Sequence, residues 1–351
     1  MTELDGGRVT TIERAARRLA EGGLVAFPTE TVYGLGADAE NVQAVARIYA
    51  AKGRPANHPV IVHVTPEADL NYWASAIPEV ARVLMDAFWP GPLTLILPRA
   101  PHIPPAVSGG QDSIGLRCPS HPVAQALLRA FAALKANGQG GVAAPSANKF
   151  GQVSPTRAEH VCSEFAAMSP AELLVLAGGP SEIGIESTIV DVSRTARGVG
   201  PVLLRPGHIS AAQLADVLGE PVGRPDAAAP RVSGSLKAHY APRTPLSLFD
   251  RDHLPRRLTR SGASGDAPGS RVAVMAFADL EKPPPTADVD WFTAPADPDA
   301  YARVLYDMLR RFDDGGYGHI FAQRPPVAPA WQAVNDRIGR AAAAFADDSL
   351  P

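Results

Sequence analysis

The chain has 351 residues, long enough for one large or two moderate domains with a sizeable core. Apolar residues make up 46% and charged residues 20%, near the soluble globular average, which excludes wholesale disorder and fibrous repeats. The formal charge is -3, from 33 basic against 36 acidic residues, so no global positive field recruits nucleic acid and an anionic ligand must be held by local cations.

Cys118 and Cys162 stand far apart without metal-ligand spacing, which argues against a disulfide framework or a zinc site, and no metal-ligating residues are assigned. The stretch 1–18 lacks the continuous apolar core of a signal peptide, and no apolar run approaches membrane-spanning length. A cytoplasmic location without a membrane partner is expected.

Through the first 210 residues, short apolar runs alternate with amphipathic stretches, the pattern of an α/β or α+β domain built around a twisted sheet. Strands are predicted at 24–27, 59–64, 93–97, 114–118, 141–144, 173–177, 188–192 and 202–205, and helices at 12–21, 42–51, 79–88, 122–134 and 157–168. Between Glu220 and Pro242 the composition turns to Pro, Gly, Ala and Ser and periodicity fades, as in a linker. The expected layout is a first domain over 1–219, a linker over 220–243 and a small open α/β domain over 244–351. In that last domain, strands are predicted at 246–249, 272–277 and 319–322, and helices at 297–312 and in a segment ending near Phe345. Ala300, Val304, Leu305, Met308 and Phe312 recur at helical spacing and mark a buried face. The Pro/Gly/Ser-rich stretches at 261–270 and 283–285 read as exposed loops.

No Walker-type phosphate loop, His-Glu-x-x-His, nucleophile elbow or kinase set is present, which disfavours an ordinary P-loop kinase or a metalloprotease. Gly34-Leu35-Gly36 follows a strand, but Tyr33 intervenes and the third glycine of a dinucleotide fingerprint is missing.

Other segments carry more. Pro28 to Gly36 packs hydroxyls, a carboxylate and a phenol into a glycine-flanked loop, which either approaches a ligand or is a polar turn held by its own threonines. Lys52-Gly53-Arg54 ends a helix, where two cations can converge on a polyanion or simply complement the helix dipole. His63, between Val62 and Val64, is a site residue or a satisfied core histidine. Arg117 closes one strand, Ser146 and Asn148 follow another with Ser154 beyond, Glu186-Ser187-Thr188 precedes a third and Arg205-Pro206-Gly207 ends a fourth. Taken together, Lys52, Arg54, Arg117 and Arg205, with hydroxyls from four loops, fall at the ends of predicted sheet elements. That arrangement suits phosphoryl or nucleotidyl transfer, since arginine forks grip phosphate oxygens and lysine acts as a point charge.

At these residues the sequence resembles the YrdC-like threonylcarbamoyl-AMP synthases in their long form, which carries an additional C-terminal domain. The resemblance rests on Phe27 to Gly36, Lys52-Gly53-Arg54-Pro55 through His63, Phe88 to Thr94, Arg117-Cys118-Pro119, Ala144 to Asn148, Glu186 to Asp191 and Leu204 to Gly207. It continues in Lys237 to Pro242 and in Asn335 to Ile338. Two departures are Ser235-Leu236, where the family linker usually reads glycine-methionine, and an extra glycine-rich stretch over 134–141.

The resemblance implies a twisted-sheet domain with a large ligand cleft, joined by a linker that folds over the cleft to a smaller Rossmann-like α/β domain. It implies a nucleotidyltransferase that joins L-threonine, bicarbonate and ATP into threonylcarbamoyl-AMP and pyrophosphate, with Mg²⁺ on the phosphates. The product would pass to the tRNA threonylcarbamoyl-transferase machinery, for modification next to the anticodon, with a weak direct tRNA contact left open. Residue by residue, it implies threonine contacts from Thr31, His63, Arg117, Ala144 and Ser187. Nucleotide contacts are implied for Arg54, His58, Ser113, Ser146, Ser154, Arg205 and Tyr240, with Lys52, Arg54, Ser146 and Asn148 as the catalytic set. Two rivals remain at this point: a non-catalytic double-stranded RNA or tRNA-binding module, and an enzyme using another carbamoyl source.

Overall fold

Leu24–Phe27 is apolar and buried at every position, as a strand covered on both faces must be. Leu24 and Ala26 enter one apolar core and Val25 and Phe27 another, so the two-residue period of the strand separates two layers of side chains. The computed structural model describes residues 3–254, 271–282 and 288–346; the loops expected at 261–270 and 283–285 lie outside the described residues. The chain divides into two units, Met1–Phe150 with Ser154–Ser235, and Gly151–Val153 with Leu236–Pro351. The stretch expected as one linker over 220–243 is therefore shared between them, changing unit after Ser235.

In the first unit the strands are β1 (Glu3–Asp5), β2 (Leu24–Phe27), β3 (Gly34–Asp38), β4 (Ile61–His63), β5 (Leu93–Pro98), β6 (Ser113–Arg117), β7 (Val142–Ala143), β8 (Leu173–Ala177), β9 (Thr188–Asp191) and β10 (Val202–Arg205). They form one mixed sheet in the order β1-β8-β2-β3-β7-β4-β6-β5-β9-β10. The helices are α1 (Val9–Ala20), α2 (Val42–Lys52), α3 (Leu70–Trp73), α4 (Glu79–Phe88), α5 (Pro122–Leu134), α6 (Ala158–Glu164) and α7 (Ala211–Leu218). Ile12 and Leu19 of α1 pack with Leu127 and Phe131 of α5 and with Val25 and Phe27. Val45 and Ile48 of α2 and Leu84 of α4 join the core that holds Leu24 and Ala26. No helix among the described residues is long and apolar enough to cross a membrane.

The second unit holds β11 (Leu246–Phe249), β12 (Val272–Phe277), β13 (Val289–Ala294) and β14 (His319–Gln323), with α8 (Pro298–Asp314) and α9 (Gln332–Ala343). Its sheet runs β11-β14-β12-β13 with every pair parallel. The Gln323 side-chain oxygen accepts from Phe277 N at 2.9 Å and ties two of these strands beyond their regular ladder.

The structure differs from the sequence reading at several elements. Gly34–Asp38, read as the end of a loop, is a buried strand antiparallel to β2, so Gly34-Leu35-Gly36 opens no helix and cannot work as a dinucleotide turn. Two glycines masked its pattern. Helix α6 ends at Glu164, short of the expected 168. Helix α7, unforeseen, begins at a capping box in which Ser210 and Gln213 satisfy each other's backbone N–H groups. Strand β13 was missed because most of it is only half-buried and mixes Asp290 and Thr293 with its aromatics.

Gly36 has no room for a side chain: a Cβ there would lie 2.8 Å from Phe27 Cε1, 2.8 Å from Val142 Cγ1 and 3.1 Å from Val25 O. Gly36→Ala should therefore destabilise the first unit by about 1–3 kcal/mol through overpacking. The measurement is the urea midpoint, and an unchanged midpoint would show that these neighbours yield freely.

Candidate active site

The Lys-Gly-Arg segment gets its shape from the end of α2. Gly53 is left-handed with φ 62°, and the amides of Gly53 and Arg54 bond back to Ala50 O and Tyr49 O at 3.2 and 3.0 Å. The chain turns sharply there, and the two cations take separate tasks. Lys52 is buried, and its Nζ donates to Ser146 O at 2.6 Å and to Asn148 O, while Phe150 N donates to Lys52 O at 2.8 Å. Burial, and then the Arg54 charge, hold this ammonium well below the usual lysine range.

Arg54 donates from Nη2 to Pro59 O at 2.8 Å and to Ser233 Oγ at 3.3 Å, with its guanidinium 5.8 Å from the Phe150 ring. His58 meets the same ring edge-on at 5.3 Å. Its pKa is lowered by partial burial and by the Arg54 and Arg231 charges. Arg205 Nη1 donates to Ser233 O at 2.9 Å, and its Nε and Nη2 both reach Ser187 O, at 3.1 and 2.9 Å. Ser113 lines a groove with Ile61, Ile96 and Ile189, across which Val232 is packed. Gln111 grips the same segment, accepting from Arg231 N at 2.8 Å and donating to Arg231 O at 3.0 Å. Ser154 donates to Glu186 Oε1 at 2.5 Å, and both are buried.

A second line of residues crosses the middle of the sheet at one level. His63 on β4 is in register with Arg117 on β6, Arg117 is in register with Thr94 on β5, and the Thr94 hydroxyl lies 2.8 Å from Ser187 Oγ. Ala144, just past β7, donates its N–H to Ile61 O at 2.9 Å. Arg117 Nη2 donates to Glu30 Oε1 at 2.6 Å, and its Nε approaches Gly91 O at 3.4 Å. Thr31 is fully buried in the loop that carries Glu30. Since the Thr29 hydroxyl gives its proton to Val32 O at 2.6 Å, Thr31 must be the donor in the 2.9 Å contact between the two hydroxyls.

Thirteen of the fourteen residues singled out from the sequence thus lie in the first unit, at or beside these strand and helix ends. Tyr240 belongs to the second unit, where its ring lies 5.8 Å from that of Tyr306 and 5.3 Å from the Arg337 guanidinium, at a left-handed φ of 62°. Sequence reasoning gave no role to Glu30, Thr94, Gln111 or Ser233. A lone hydroxyl in the apolar strand Leu93–Pro98 was the available signal for Thr94, and a carboxylate between two threonines was the signal for Glu30. Among the described residues, no group of three or more His, Cys, Asp and Glu could hold a metal ion.

His63 is neutral at physiological pH, its pKa pushed down from 6.5 to about 3 by burial and then by the Arg117 charge. Between those two values the unfolded chain binds the proton that the folded chain refuses. The stability protected by a neutral His63 is complete above pH 6.5 and is lost as pH falls toward 3, by up to about 1.4 kcal/mol per pH unit from this group. Replacing His63 by Gln should flatten that part of the stability profile in denaturant titrations at pH 7, 5 and 4, and an identical slope in both proteins would refute it.

A family model described as telomere recombination, covering Sua5, YciO and YrdC, matches residues 17–207. A second, described as the C-terminal domain of threonylcarbamoyl-AMP synthase, matches residues 209–343. The chain is similar to the threonylcarbamoyl-AMP synthase of Bacillus subtilis, with 38% identity over 94% of this chain and 92% of the relative. Its similarity to that of Pyrococcus abyssi is 36% identity over 94% of this chain and 93% of the relative. A solved structure of P. abyssi Sua5 complexed with L-threonine superposes with a TM-score of 0.81 at 34% identity, covering 96% of this chain and 95% of that one. The residues matched run through both units, and the chain belongs to the threonylcarbamoyl-AMP synthase family.

Proposed function

We propose that this chain condenses L-threonine, bicarbonate and ATP into threonylcarbamoyl-AMP with release of pyrophosphate, and so supplies the donor for a tRNA modification. The observation that carries the reading is the placement of four buried basic side chains, Lys52, Arg54, Arg117 and Arg205, at or beside the ends of one sheet's strands and of α2, with Arg54 and Arg205 meeting at Ser233. The family's enzyme name, borne by relatives alignable along nearly the whole chain, favours catalysis over a non-catalytic RNA-binding module.

In this reading Arg117 takes the threonine carboxylate, while neutral His63, Thr31, Ser187 and the Ala144 backbone orient the rest. Arg54, Arg205, His58, Ser113 and Ser154 face the nucleotide, and Lys52 keeps the Ser146–Asn148 loop in place from beneath. The threonine amine, once deprotonated, attacks carbon dioxide and becomes a carbamate with loss of a second proton, or attacks the carbon of bicarbonate, whose C–O bond breaks so that water leaves. A carbamate oxygen then attacks the α-phosphorus, the bond to the β-phosphate oxygen breaks, and pyrophosphate leaves. No nucleophilic side chain is needed; the protein positions the reactants and stabilises charge. Mg²⁺ would enter with the nucleotide, held mainly by phosphate oxygens, and would offset charge on the departing pyrophosphate.

The test is pyrophosphate release from labelled ATP, which should require both threonine and bicarbonate; release indifferent to either would sink the assignment. Carbamoyl phosphate should not replace the pair. Arg117→Ala should weaken threonine binding and Arg54→Ala nucleotide binding, each by roughly 1.5–3 kcal/mol, the worth of a hydrogen bond to a charged group. Calorimetric titrations showing equal losses for both ligands in both variants would overturn the division of roles.

A further inference from the structure

We propose that Glu30 is the positioning residue for the amino-acid carboxylate, orienting and neutralising Arg117 before substrate arrives and keeping phosphate out of that end of the site. The inference rests on the reaction proposed above, and nothing in that reaction by itself calls for a carboxylate here.

The geometry is unusual for two residues so far apart. Arg117 ends β6 and Glu30 lies in the loop after β2, with β3, β7 and β4 between those strands in the sheet. Their side chains are nonetheless 2.6 Å apart and only 5% and 4% exposed. Each participant is held from a second direction. Glu30 Oε2 accepts from Ser120 N at 3.1 Å, Glu30 O accepts from Ile183 N at 2.8 Å, and Arg117 Nε leans on Gly91 O. Both the carboxylate plane and the guanidinium plane are thus fixed without any ligand. Among the described residues Arg117 Nη1 has no hydrogen-bond partner, which leaves one edge of the fork for an incoming carboxylate.

Lys52 makes the useful contrast. Its Nζ contacts carbonyl oxygens, and among the described residues no carboxylate is hydrogen-bonded to it. The Arg117 charge is already balanced by Glu30. A balanced guanidinium can still hydrogen-bond one carboxylate of a zwitterion, but a phosphate there would meet the Glu30 charge at close range. The two ends of the site would in this way sort their ligands by charge.

The experiment compares the full-length chain with Glu30→Gln and Glu30→Asp in the threonine-dependent pyrophosphate assay, with inorganic phosphate as a competitor. In Glu30→Gln the KM for threonine should rise by roughly tenfold to a hundredfold, the scale of one misdirected charged hydrogen bond, with the KM for ATP essentially unchanged. Phosphate should become a competitive inhibitor against threonine in that variant. Glu30→Asp, which keeps the charge, should remain resistant to phosphate and show a smaller rise in threonine KM. If Glu30→Gln does not fold, the Asp variant still carries the test through its split between the two KM values. An unchanged threonine KM in an active, folded Glu30→Gln enzyme overturns the proposal. So does a parallel loss toward both substrates without phosphate inhibition, which would mark a purely structural ion pair. A wild-type chain that releases no threonine-dependent pyrophosphate would instead bring down the reaction on which the proposal stands.

Discussion

A buried amine must find oxygen partners, and the placement of Lys52 is the constraint on which the end of α2 and the loop after β7 both depend. Its Nζ is satisfied by the carbonyls of Ser146 and Asn148, and its own carbonyl receives Phe150 N. One residue therefore ties the last turn of α2 to the loop that follows β7, across 94 and 96 positions of sequence. Removing the side-chain amine would take a donor from both carbonyls, so the loop's conformation and the lysine's presence are mutually dependent. The same loop carries Phe150, whose ring borders both Arg54 and His58. Lysine, loop, aromatic ring and arginine behave as one mechanical unit.

The residues proposed for the amino acid are placed on a different principle. His63, Arg117 and Thr94 occupy adjacent strands in register, so the sheet's hydrogen-bond ladder sets their spacing to within the tolerance of strand pairing. The flanking loops add the Glu30 carboxylate, the threonine hydroxyls, Ser187 and the Ala144 backbone. The residues proposed for a small zwitterion thus sit largely on paired strands, while those proposed for the polyanion come mainly from helix ends and connections. The depressed basicity of His63 belongs to the same design: a second cation beside Arg117 would cost free energy in a water-poor interior, and the ring stays neutral.

Much of this was legible in the sequence where the signal is local. Apolar runs such as Leu24–Phe27 and Leu173–Ala177 announced strands because burial on both faces leaves no polar position to confuse the pattern. The Lys-Gly-Arg cations were visible because glycine ends helices and the motif stood at a predicted helix end. What stayed hidden depends on partners far away in sequence. Glu30 reads as one more polar residue in a turn until Arg117, 87 positions on, is brought to it by the closure of the sheet. Gln111 reads as a loop residue until Arg231, 120 positions on, lies against it. The Thr29-to-Thr31 loop is a turn held by its own threonines, and that turn is what presents Glu30 to Arg117.

The segment after Glu220 shows why composition can mislead about order. Its Pro, Gly and Ala content offers no periodic apolar face and few backbone donors that can be satisfied internally, which is the description of a tether. Up to Ser235, however, the first unit supplies the missing partners one at a time. Buried Arg194, itself paired with Asp191 at 2.8 Å, reaches Asp226 at 2.7 Å; Gln111 takes both the N–H and the carbonyl of Arg231; Arg205 takes the carbonyl of Ser233. Val232 adds an apolar anchor against Ile96 and Ile189. A chain with no secondary structure of its own can be fixed in this way, because order requires only that each buried polar group finds a partner, and those partners need not be its neighbours. Two of these anchors, Ser233 at Arg54 and Ser233 at Arg205, fall on the very cations assigned to the nucleotide. The order of this segment and the electrostatics of the site are therefore a single problem, and any ligand that engages both arginines must come to terms with Ser233.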